Sequence, residues 1–482
     1  MARTESPCSS LAPDLAARRC ADIRAQLETA GLFASDSAPQ TTNVWRIGPC
    51  PLFLSQEQVD FFTRLGPQLL SFYRAHNRLY LESAKGTQPK WVAQYLDQGK
   101  PDALIAYSRM KRFRDELPAV IRPDVIPTQD GMVITELDSV PGGIGLTACL
   151  SSIYSNLNET PLSIIGGRDG MVRGFAAMLK AVQRERAGCT AIVASDEAKE
   201  YRPEMTWLAA RLREQGLPAY CVEPRDVRFT EEGLRLRTGS GEEPIAVLYR
   251  FYELFDLLNI PKAELIQYAA KKEWVSVTPP YKPALEEKSA FALLHHPVLR
   301  SFWEKELGEA TLLDLTTVMP RTWVLDPAPI PPSATIPGLH MGARAVTDWR
   351  ELAAATQKER HFVIKPSGFS ELAWGSRGVS VGHDLPQAEW AAAIDHALAS
   401  FQTTPYILQE FHKGRTYELD YWDPAANTLV KMNGRARLSP YYFVAGGKAE
   451  LAGILATVCS AEKKIIHGMK DAIMVPCALQ PS

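Results

Sequence analysis

The sequence has few features that would bind a metal through sulfur or build a disulfide framework. Its eight cysteines are scattered and include no CxxC pair, so no zinc site is predicted. Their spacing is unlike that of small disulfide-rich secreted proteins, and we expect reduced thiols in a cytoplasmic enzyme. Residues 1–40 contain no apolar signal-peptide core, and the chain has no run of about 18 apolar residues. The sequence therefore predicts neither export nor a membrane-spanning helix.

The sequence also lacks an excess of either charge. Lysine and arginine number 53 against 55 aspartates and glutamates, which gives a formal net charge of −2. Without a basic surplus, neither a nucleic acid nor a membrane is predicted as a partner. No credible Ser-His-Asp or Cys-His set stands out, which favours chemistry that needs no nucleophilic side chain. The chain, at 482 residues, is long enough for two or three domains, and its oligomeric state is left open.

What the sequence does contain is a segment, residues 122–145, that gathers an arginine and three carboxylates around one Asp-Gly turn. Polar and apolar residues alternate on both sides of this turn, which predicts two strands joined as a hairpin. Side chains two positions apart share a face of a strand. One strand therefore presents an Arg-x-Asp pair and the other a Glu-x-Asp pair. The four residues are Arg122, Asp124, Glu136 and Asp138.

Whether the two pairs meet depends on the register that the turn sets. A two-residue loop would turn Glu136 to the face opposite Asp124. A three-residue loop ending in a left-handed Gly131 would place Asp124 across from Glu136, and this is the register that we predict. The same register places Arg122 across from Asp138.

Such a hairpin concentrates negative charge. Carboxylates about 4 Å apart repel by roughly 4 kcal/mol per pair at an effective dielectric of about 20. Arg122 offsets only part of this repulsion. Magnesium would offset the remainder, because it prefers one or two protein carboxylates together with substrate phosphates. The alternative is a solvated hairpin with an Arg122–Asp138 ion pair, and this segment alone does not decide between the two.

The whole pattern predicts a mixed α+β or α/β protein in three parts. Residues 1–105 are predicted as a helical N-terminal segment, with Ser55 as a helix N-cap. Residues 106–280 contain the hairpin and then strands alternating with helices, which predicts an open α/β subdomain. Residues 281–482 combine helical patterns, a Pro-rich loop and several strands. The run 141–145 lacks GxGxxG spacing and is predicted as a flexible turn.

A second group of residues follows the predicted strand 362–366. Lys365 lies near its end, and the following loop contains Gly368, Gly375 and Gly378. A strand-borne cation beside a loop rich in backbone N–H groups is suited to binding phosphates. The signal is weak by itself, since many strands end in lysine and many loops contain glycine.

Two further segments fit a nucleotide site. Lys288 lies near the start of a helix and could reach the same phosphates, although lysines in this position are usually solvated. A later strand ends in Gln409-Glu410 and is followed by a short linker, which can present backbone groups to an adenine edge.

The order of these segments resembles the glutathionylspermidine synthase family: Arg-x-Asp, Glu-x-Asp, a helix-start lysine, VIKP with a Gly-rich loop, and ILQEF. The similarity runs from roughly residue 121 to the end of the chain. It implies a circularly permuted ATP-grasp fold and a carboxylate–amine ligase that forms an amide through an acyl phosphate. The implied cofactors are ATP and Mg²⁺. The implied partners are an acid, either a small molecule or a peptide, and an amine.

The resemblance also implies roles for individual residues. Arg122 would be catalytic and stabilise the transferring phosphoryl group. Asp124, Glu136 and Asp138 would hold magnesium. The nucleotide would be bound by Lys288, Lys365, Gly368, Gly375, Gly378, Gln409, Glu410 and Phe411.

The chain departs from the family pattern at the hairpin, where Asp138 stands in place of the usual asparagine and SVPGG follows. The added charge could change the metal count or affinity. The alternatives therefore stay open: a catalytically altered ATP-binding module, or a kinase that phosphorylates a small molecule without ligation. The N-terminal segment has no counterpart of the amidase found in bifunctional members.

Substrate contacts are predicted at two further places in the sequence. Arg250 and Glu253 at a strand end could bind a carboxylate and an amine. Arg435 and Arg437, two apart in a later strand, could hold an anion. The sequence leaves the identities of the acid and the amine open.

Overall fold

The computed structural model describes residues 11–481 except for 34–44, 158–161, 240, 332–333, 376, 424, 464–465 and 467–470. Within those residues the α-helices are α1 (Pro13–Thr29), α2 (Gln56–Lys85), α3 (Lys90–Asp97), α4 (Asp102–Ser108), α5 (Ile144–Ser155), α6 (Gly170–Gln183), α7 (Arg202–Glu214), α8 (Ala263–Lys271), α9 (Ser289–His295), α10 (Arg300–Leu307), α11 (Glu309–Val318) and α12 (Gln387–Ala399). The strands are β1 (Leu52–Leu54), β2 (Val120–Pro127), β3 (Met132–Asp138), β4 (Cys189–Ala194), β5 (Ala219–Val222), β6 (Arg228–Thr230), β7 (Gly233–Thr238), β8 (Gly241–Phe251), β9 (Ser276–Thr278), β10 (Thr322–Val324), β11 (His340–Met341), β12 (Arg344–Ala345), β13 (Phe362–Pro366), β14 (Ser380–Val381), β15 (Tyr406–Glu410), β16 (Thr416–Asp423), β17 (Thr428–Ala445), β18 (Lys448–Ser460) and β19 (Ile473–Leu479).

The largest sheet has seven strands in the order β1-β19-β18-β17-β2-β3, and β16 pairs with the first half of β17. It brings together strands from distant parts of the sequence, because β1 pairs in parallel with β19 and the hairpin β2–β3 pairs with β17. One face packs against α2 through Tyr442 and the other against α6 through Phe443, and the buried side chains of both helices belong to the largest core cluster. The hairpin is therefore fixed to a large, well-packed sheet.

The long helix α2 begins where the sequence predicts it. Ser55 Oγ accepts a hydrogen bond from the Gln58 backbone N–H, and the Gln58 side chain accepts one from Ser55 N. This reciprocal capping box satisfies two backbone donors that helix geometry leaves free. The helix ends at Gly86, whose φ of 81° is the left-handed conformation that terminates helices. The predicted N-cap is confirmed.

The predicted open α/β sheet is present. Strands β5, β4, β8 and β9 are parallel neighbours, with helix α7 crossing between β4 and β5, and the hairpin β6–β7 extends the sheet from β8. A third sheet, with the order β10-β15-β13-β14, is antiparallel and packs one face against α12. The chain is thus a mixed α+β structure built on several sheets, as predicted. The boundaries 1–105, 106–280 and 281–482 stay a prediction.

The run 141–145 is more ordered than the flexible turn predicted from sequence. It leads directly into α5, with Gly143 at φ 86° as the cap residue. The Glu204 carboxylate accepts hydrogen bonds from Gly143 N at 2.6 Å and Leu146 N at 2.9 Å. A carboxylate at a helix N-terminus satisfies free N–H groups and complements the helix dipole. Burial nevertheless raises the pKa of Glu204 to about 7.

Two predictions about cellular context can be compared with the structure. Cys50 is disulfide-bonded, so the expectation of reduced thiols throughout is wrong at this position, whereas six other described cysteines form no disulfide. Cys8 lies outside the described residues. No helix in the described part of the chain has both the length and the apolar character needed to cross a membrane. A cytoplasmic location stays a prediction.

Candidate functional site

The hairpin pairs its charged residues in the predicted register. Arg122 lies across from Asp138, and Asp124 lies across from Glu136, so all four side chains share one face. The turn itself differs from the predicted three-residue loop, because four residues separate the last pair of strand residues. Gly131 has a φ of 150°, far from the left-handed value of about +57°.

A bulge in β3 reconciles this turn with the predicted register. Close to the turn Val125 pairs with Ile134, whereas the next residue, Asp124, pairs with Glu136, so Thr135 is an extra residue. A regular ladder continuing from this turn would have put Asp124 opposite Thr135. The bulge therefore turns Glu136 toward Asp124. The alternation of polar and apolar residues in the sequence does not predict such a bulge.

Asp124 is the most deeply held carboxylate of the hairpin. It is only 5% exposed, and its oxygens meet Ser439 Oγ at 3.0 Å, Arg437 Nη1 at 3.2 Å and Arg122 Nη1 at 3.4 Å. Burial alone would raise the pKa of Asp124, but the two guanidinium groups and the hydroxyl lower it below its ordinary value. Asp124 is therefore ionised and fixed in place by strand β17.

Asp138 is the carboxylate whose charge is least compensated. It accepts a hydrogen bond from Arg122 Nη2 at 2.7 Å and one from Val140 N at 2.8 Å. Burial still raises the pKa of Asp138, and the neighbouring Glu136 carboxylate raises it further. A cation near Asp138 would relieve both effects.

Two lysines reach the hairpin from other elements. Lys288, at the start of α9, places Nζ 2.7 Å from Glu136 Oε1 and 3.2 Å from the Ala373 carbonyl. Lys365, on β13, donates from Nζ to the Thr135 carbonyl at 2.8 Å. Each lysine is 8% exposed. The structure thus brings both predicted nucleotide lysines to the hairpin face.

The surroundings of the two lysines shift their pKa values in opposite directions. Burial lowers the pKa of Lys365 to about 8, and the nearby Lys288 charge contributes to the shift. Burial also acts on Lys288, but the Glu136 carboxylate outweighs it and the pKa of Lys288 is raised. Lys288 is therefore held charged, whereas Lys365 titrates near neutrality.

The Gly-rich loop is anchored directly against the start of α9. Lys288 N donates to the Ser367 carbonyl at 2.8 Å, and Ser289 N donates to Ser367 Oγ at 2.9 Å. A Cβ on Gly368 would lie 2.8 Å from the Glu286 carbonyl, so this close approach requires glycine. Farther along the loop, Gly375 has a positive φ of 63°, and a Cβ on Gly378 would lie 2.8 Å from Pro366 Cγ.

The predicted adenine-binding residues lie at the end of β15. Gln409 is buried and donates to Thr322 Oγ1 at 3.1 Å, and Glu410 N donates to the Arg321 carbonyl. The Phe411 ring lies 4.5 Å from the His383 ring, centroid to centroid. Gln409 lies across from Val363 and therefore on the same face as Lys365, two residues along β13.

The predicted substrate-binding arginines have different partners in the structure. Arg250 is fully buried and bonds to Glu286 and to the carbonyls of Tyr252 and Pro279. These contacts hold Arg250 within the protein, and its predicted role in binding a substrate carboxylate stays a prediction. Arg437 lies beside Asp124, whereas Arg435 donates to the Ala461 carbonyl at 2.6 Å.

A small cavity of about 60 Å³ opens beside the hairpin and the Gly-rich loop. Glu136, Asp138, Glu253, Glu286 and Lys288 contribute to its lining. Burial raises the pKa of Glu253 to about 8, and the neighbouring Glu286 and Asp138 carboxylates add to the shift. The charged side chains of this acidic cavity are thus mainly carboxyl groups, and a positively charged group in it would favour their ionised forms.

Sequence reasoning missed two residues of this site. Ser439, which bonds to Asp124, lies two residues after Arg437 and so shares its strand face. Glu286, in the cavity wall, belongs to the Glu-Glu-Lys run that contains Lys288. The spacing of Ser439 from Arg437 and the adjacency of Glu286 to Lys288 were the sequence signals that could have identified them.

The hairpin offers oxygen ligands of the kind that Mg²⁺ prefers. Within the described residues, however, no group of three His, Cys, Asp or Glu side chains is arranged to hold a metal ion. Asp124 already contacts Arg437, and Glu136 contacts Lys288. Asp138, with its raised pKa, is the carboxylate that fits a cation best.

No sequence-family model and no curated protein matches the chain. In fold, the chain is similar to a glutathione synthetase-like effector from Globodera pallida, solved in its apo form, with a TM-score of 0.61. That match covers 99% of this chain and 100% of the effector at 12% sequence identity. A candidate gamma-glutamylcysteine synthetase from Methylobacillus flagellatus gives a TM-score of 0.40 over 88% of this chain and 89% of that one, also at 12% identity. The first match establishes a shared overall fold, and the second is too distant to support an argument.

Proposed function

We propose that this protein is an ATP-dependent, ADP-forming carboxylate–amine ligase with a circularly permuted ATP-grasp organisation. In this arrangement the metal-binding hairpin β2–β3 precedes the nucleotide lysines along the chain. The observation that carries the proposal is the convergence of Lys288 and Lys365, from two separate elements, on the four charged residues of the hairpin. The likeness in fold to a glutathione synthetase-like effector supports the same class of reaction.

The charge balance at the site supports a polyanionic ligand. Four cationic side chains surround the three hairpin carboxylates, so the group carries a net positive charge when all seven are ionised. Buried, preorganised cations stabilise phosphate charge far better than solvated ones do. The cations are Arg122, Lys288, Lys365 and Arg437.

Phosphoryl transfer needs positioning and charge neutralisation rather than a protein nucleophile. We assign Arg122 to the transferring phosphoryl group and to the acyl phosphate, and Lys288 and Lys365 to the phosphates of ATP. Asp138 and Glu136, with Asp124 beside them, would hold magnesium, which would supply positive charge against the phosphates. Glu253 in the acidic cavity is suited to the amine substrate, whereas Arg437 is suited to an anion.

A second candidate is a nucleotide-binding module with altered catalysis, which Asp138 in place of the usual asparagine favours. Both phosphate lysines already have protein partners, because Lys365 bonds to the Thr135 carbonyl and Lys288 to Glu136. These contacts fix the two ammonium groups in position, and each keeps donor capacity for a phosphate oxygen.

The test is ADP release from MgATP in the presence of paired substrates. Glutathione with spermidine and γ-glutamylcysteine with glycine are the first acid–amine pairs to use. A ligase releases ADP only when both members of a pair are present, and chelation of magnesium stops the release. Arg122→Ala and Asp124→Asn should each reduce turnover by about 100-fold or more. Asp130→Asn, at an exposed position in the same hairpin turn, should leave it unchanged.

Other outcomes would redirect the assignment. ADP release with one substrate alone would indicate a kinase. Binding of a non-hydrolysable ATP analogue without turnover on any pair would indicate the binding module. Full turnover in Arg122→Ala and Asp124→Asn would show that the site has been placed wrongly.

A further inference from the structure

A separate cavity of about 570 Å³ lies at the free edge of the four-stranded sheet. Strand β10 forms its floor, α3 and the end of α9 form one side, and the Pro-rich loop after β10 forms the other. None of the residues assigned above to nucleotide, metal or substrate lines it. Its volume lies within the range of about 300–1,000 Å³ that is common for small-molecule sites.

Aromatic rings dominate the walls of this cavity. Trp91, Tyr95, Trp323 and Trp349 all line it, and the rings of Trp91 and Tyr95 lie 5.6 Å apart, centroid to centroid. Tyr95 donates its hydroxyl to Asp326 at 2.6 Å, and Trp323 donates Nε1 to the Pro337 carbonyl at 2.9 Å. Because these polar tips have protein partners, the rings are fixed in orientation and offer flat apolar surface to a ligand.

The charged groups at the cavity differ in how much of their hydrogen-bonding capacity is already used. Asp326 accepts bonds from Tyr95 and from Ala328 N at 2.8 Å, so its oxygens are engaged. Burial lowers the pKa of His295 and of His296, which keeps both imidazoles neutral near pH 7. The charged group that keeps free donors for a ligand is therefore positive.

Arg321 supplies this positive charge. It lines the cavity, is exposed, and makes one side-chain hydrogen bond, from Nη1 to the Gly338 carbonyl at 3.4 Å. It forms no ion pair within the described residues. A guanidinium with free donors beside an aromatic wall is suited to a carboxylate or sulfonate on a flat ring system.

We propose that this cavity binds a flat aromatic small molecule that carries one negative charge. The rings of the ligand pack among Trp91, Tyr95 and Trp323, and its anionic group accepts hydrogen bonds from Arg321. The cavity lining shares no residue with the assigned nucleotide site, although Arg321 and Thr322 are hydrogen-bonded to Glu410 and Gln409.

Two dyes that differ by a single group test the proposal. 1-Anilinonaphthalene-8-sulfonate carries the required charge, and N-phenyl-1-naphthylamine has the same rings without the sulfonate. In fluorescence titrations the sulfonate should bind at one saturable site and about tenfold more tightly than the neutral dye, as expected for a charged hydrogen bond. Arg321→Gln should remove this difference by weakening sulfonate binding about tenfold, whereas Arg321→Lys should retain most of it.

The chain offers a matched control for Arg321. Arg74 is also exposed, bonds through Nη2 to the Gly447 carbonyl at 2.9 Å, and lines a different cavity of about 740 Å³. Arg74→Gln should leave the binding of both dyes unchanged, and Trp91→Leu should weaken both. Circular dichroism verifies that each variant is folded.

Three results would overturn the proposal: equal affinity for the two dyes, sulfonate binding that Arg321→Gln does not weaken, or equal weakening by Arg74→Gln. Displacement of the sulfonate by MgATP would place the dye in the nucleotide site and would also overturn it. Absence of ligase turnover would contradict the proposed function but not the aromatic site, because dye binding is measured without turnover. The two proposals are therefore tested independently.

Discussion

Lys365 shows how the environment of one residue sets the charge state of the site. Burial lowers the pKa of its amine to about 8, and among the described residues the amine donates to the Thr135 carbonyl, a neutral acceptor. Lys288, equally buried, stays charged because a carboxylate faces it. Spacing in the sequence identified both lysines but could not distinguish them, since their partners come from a strand more than 100 residues earlier.

A nucleotide at this site should therefore take up a proton. Around pH 8 about half of the Lys365 amines are uncharged, and a neighbouring phosphate favours the charged form. Binding of a non-hydrolysable ATP analogue with magnesium should take up as much as about half a proton at pH 8 and almost none at pH 6. Calorimetry in buffers of different ionisation enthalpy measures this uptake.

Lys365→Arg is the control for proton uptake, because a guanidinium stays charged throughout this pH range. The variant should still bind the analogue, but without the proton uptake at pH 8. Uptake of the same size in Lys365→Arg would assign the proton to another group.

At the scale of single elements, the loop after β13 depends on how closely it can approach the start of α9. Gly368 allows this approach, since a Cβ there would lie 2.8 Å from both the Glu286 carbonyl and Glu287 Oε1. Ser367 completes the junction by accepting hydrogen bonds from the backbone of Lys288 and Ser289. The position of Lys288 therefore depends on a glycine in a different element.

Gly368→Ala should disturb both stability and nucleotide binding. The added methyl group meets backbone atoms, and such overpacking costs about 1–3 kcal/mol of unfolding free energy. Urea denaturation measures this loss, and titration with the ATP analogue should show weaker binding. Gly239→Ala is the matched control, because nothing lies within 4 Å of a Cβ there, and it should change stability by less than about 0.5 kcal/mol. Equal stability of the two variants would contradict the steric argument.

Local sequence patterns predicted individual helices and hairpins better than they predicted the register between strands. The capping box at Ser55 and the hairpin at Asp130-Gly131 were visible because each depends on residues that are close in sequence. The bulge at Thr135 could not be predicted from the sequence. It restores the register after a four-residue turn, and the residue types in that turn do not determine its length. The correct pairing of Asp124 with Glu136 was therefore predicted from a loop that the protein does not have.

At the scale of the whole molecule, the large sheet pairs a strand from the first part of the chain, β1, with the last strand, β19. Strand β19 lies between β1 and β18, and Ile473, Val475 and Cys477 on it are fully buried. Periodicity predicted the helical start of the chain, but it gave no signal that β1 pairs with a strand more than 400 residues later. Such long-range pairing is set by tertiary packing rather than local pattern.

Truncation after residue 470 should abolish cooperative folding. It removes β19, and the loss of three buried apolar side chains there costs roughly 5–9 kcal/mol, which is comparable to the whole stability of many domains. Thermal unfolding followed by near-ultraviolet circular dichroism should show no sharp transition. A chain that ends at Gln480 keeps β19 and should unfold cooperatively. A cooperative transition in the shorter chain would show that the sheet does not need its final strand.

The contacts of the hairpin with the two lysines have a consequence for measured affinity. The Thr135 carbonyl and the Glu136 carboxylate are oxygen acceptors that occupy the lysine donors as phosphate oxygens would. A phosphate that needs one of these donors competes with the protein's own acceptor, and it can bind only to the fraction of molecules in which that donor is released. The observed dissociation constant equals the intrinsic one divided by that fraction, so each 1.4 kcal/mol spent on release weakens binding about tenfold.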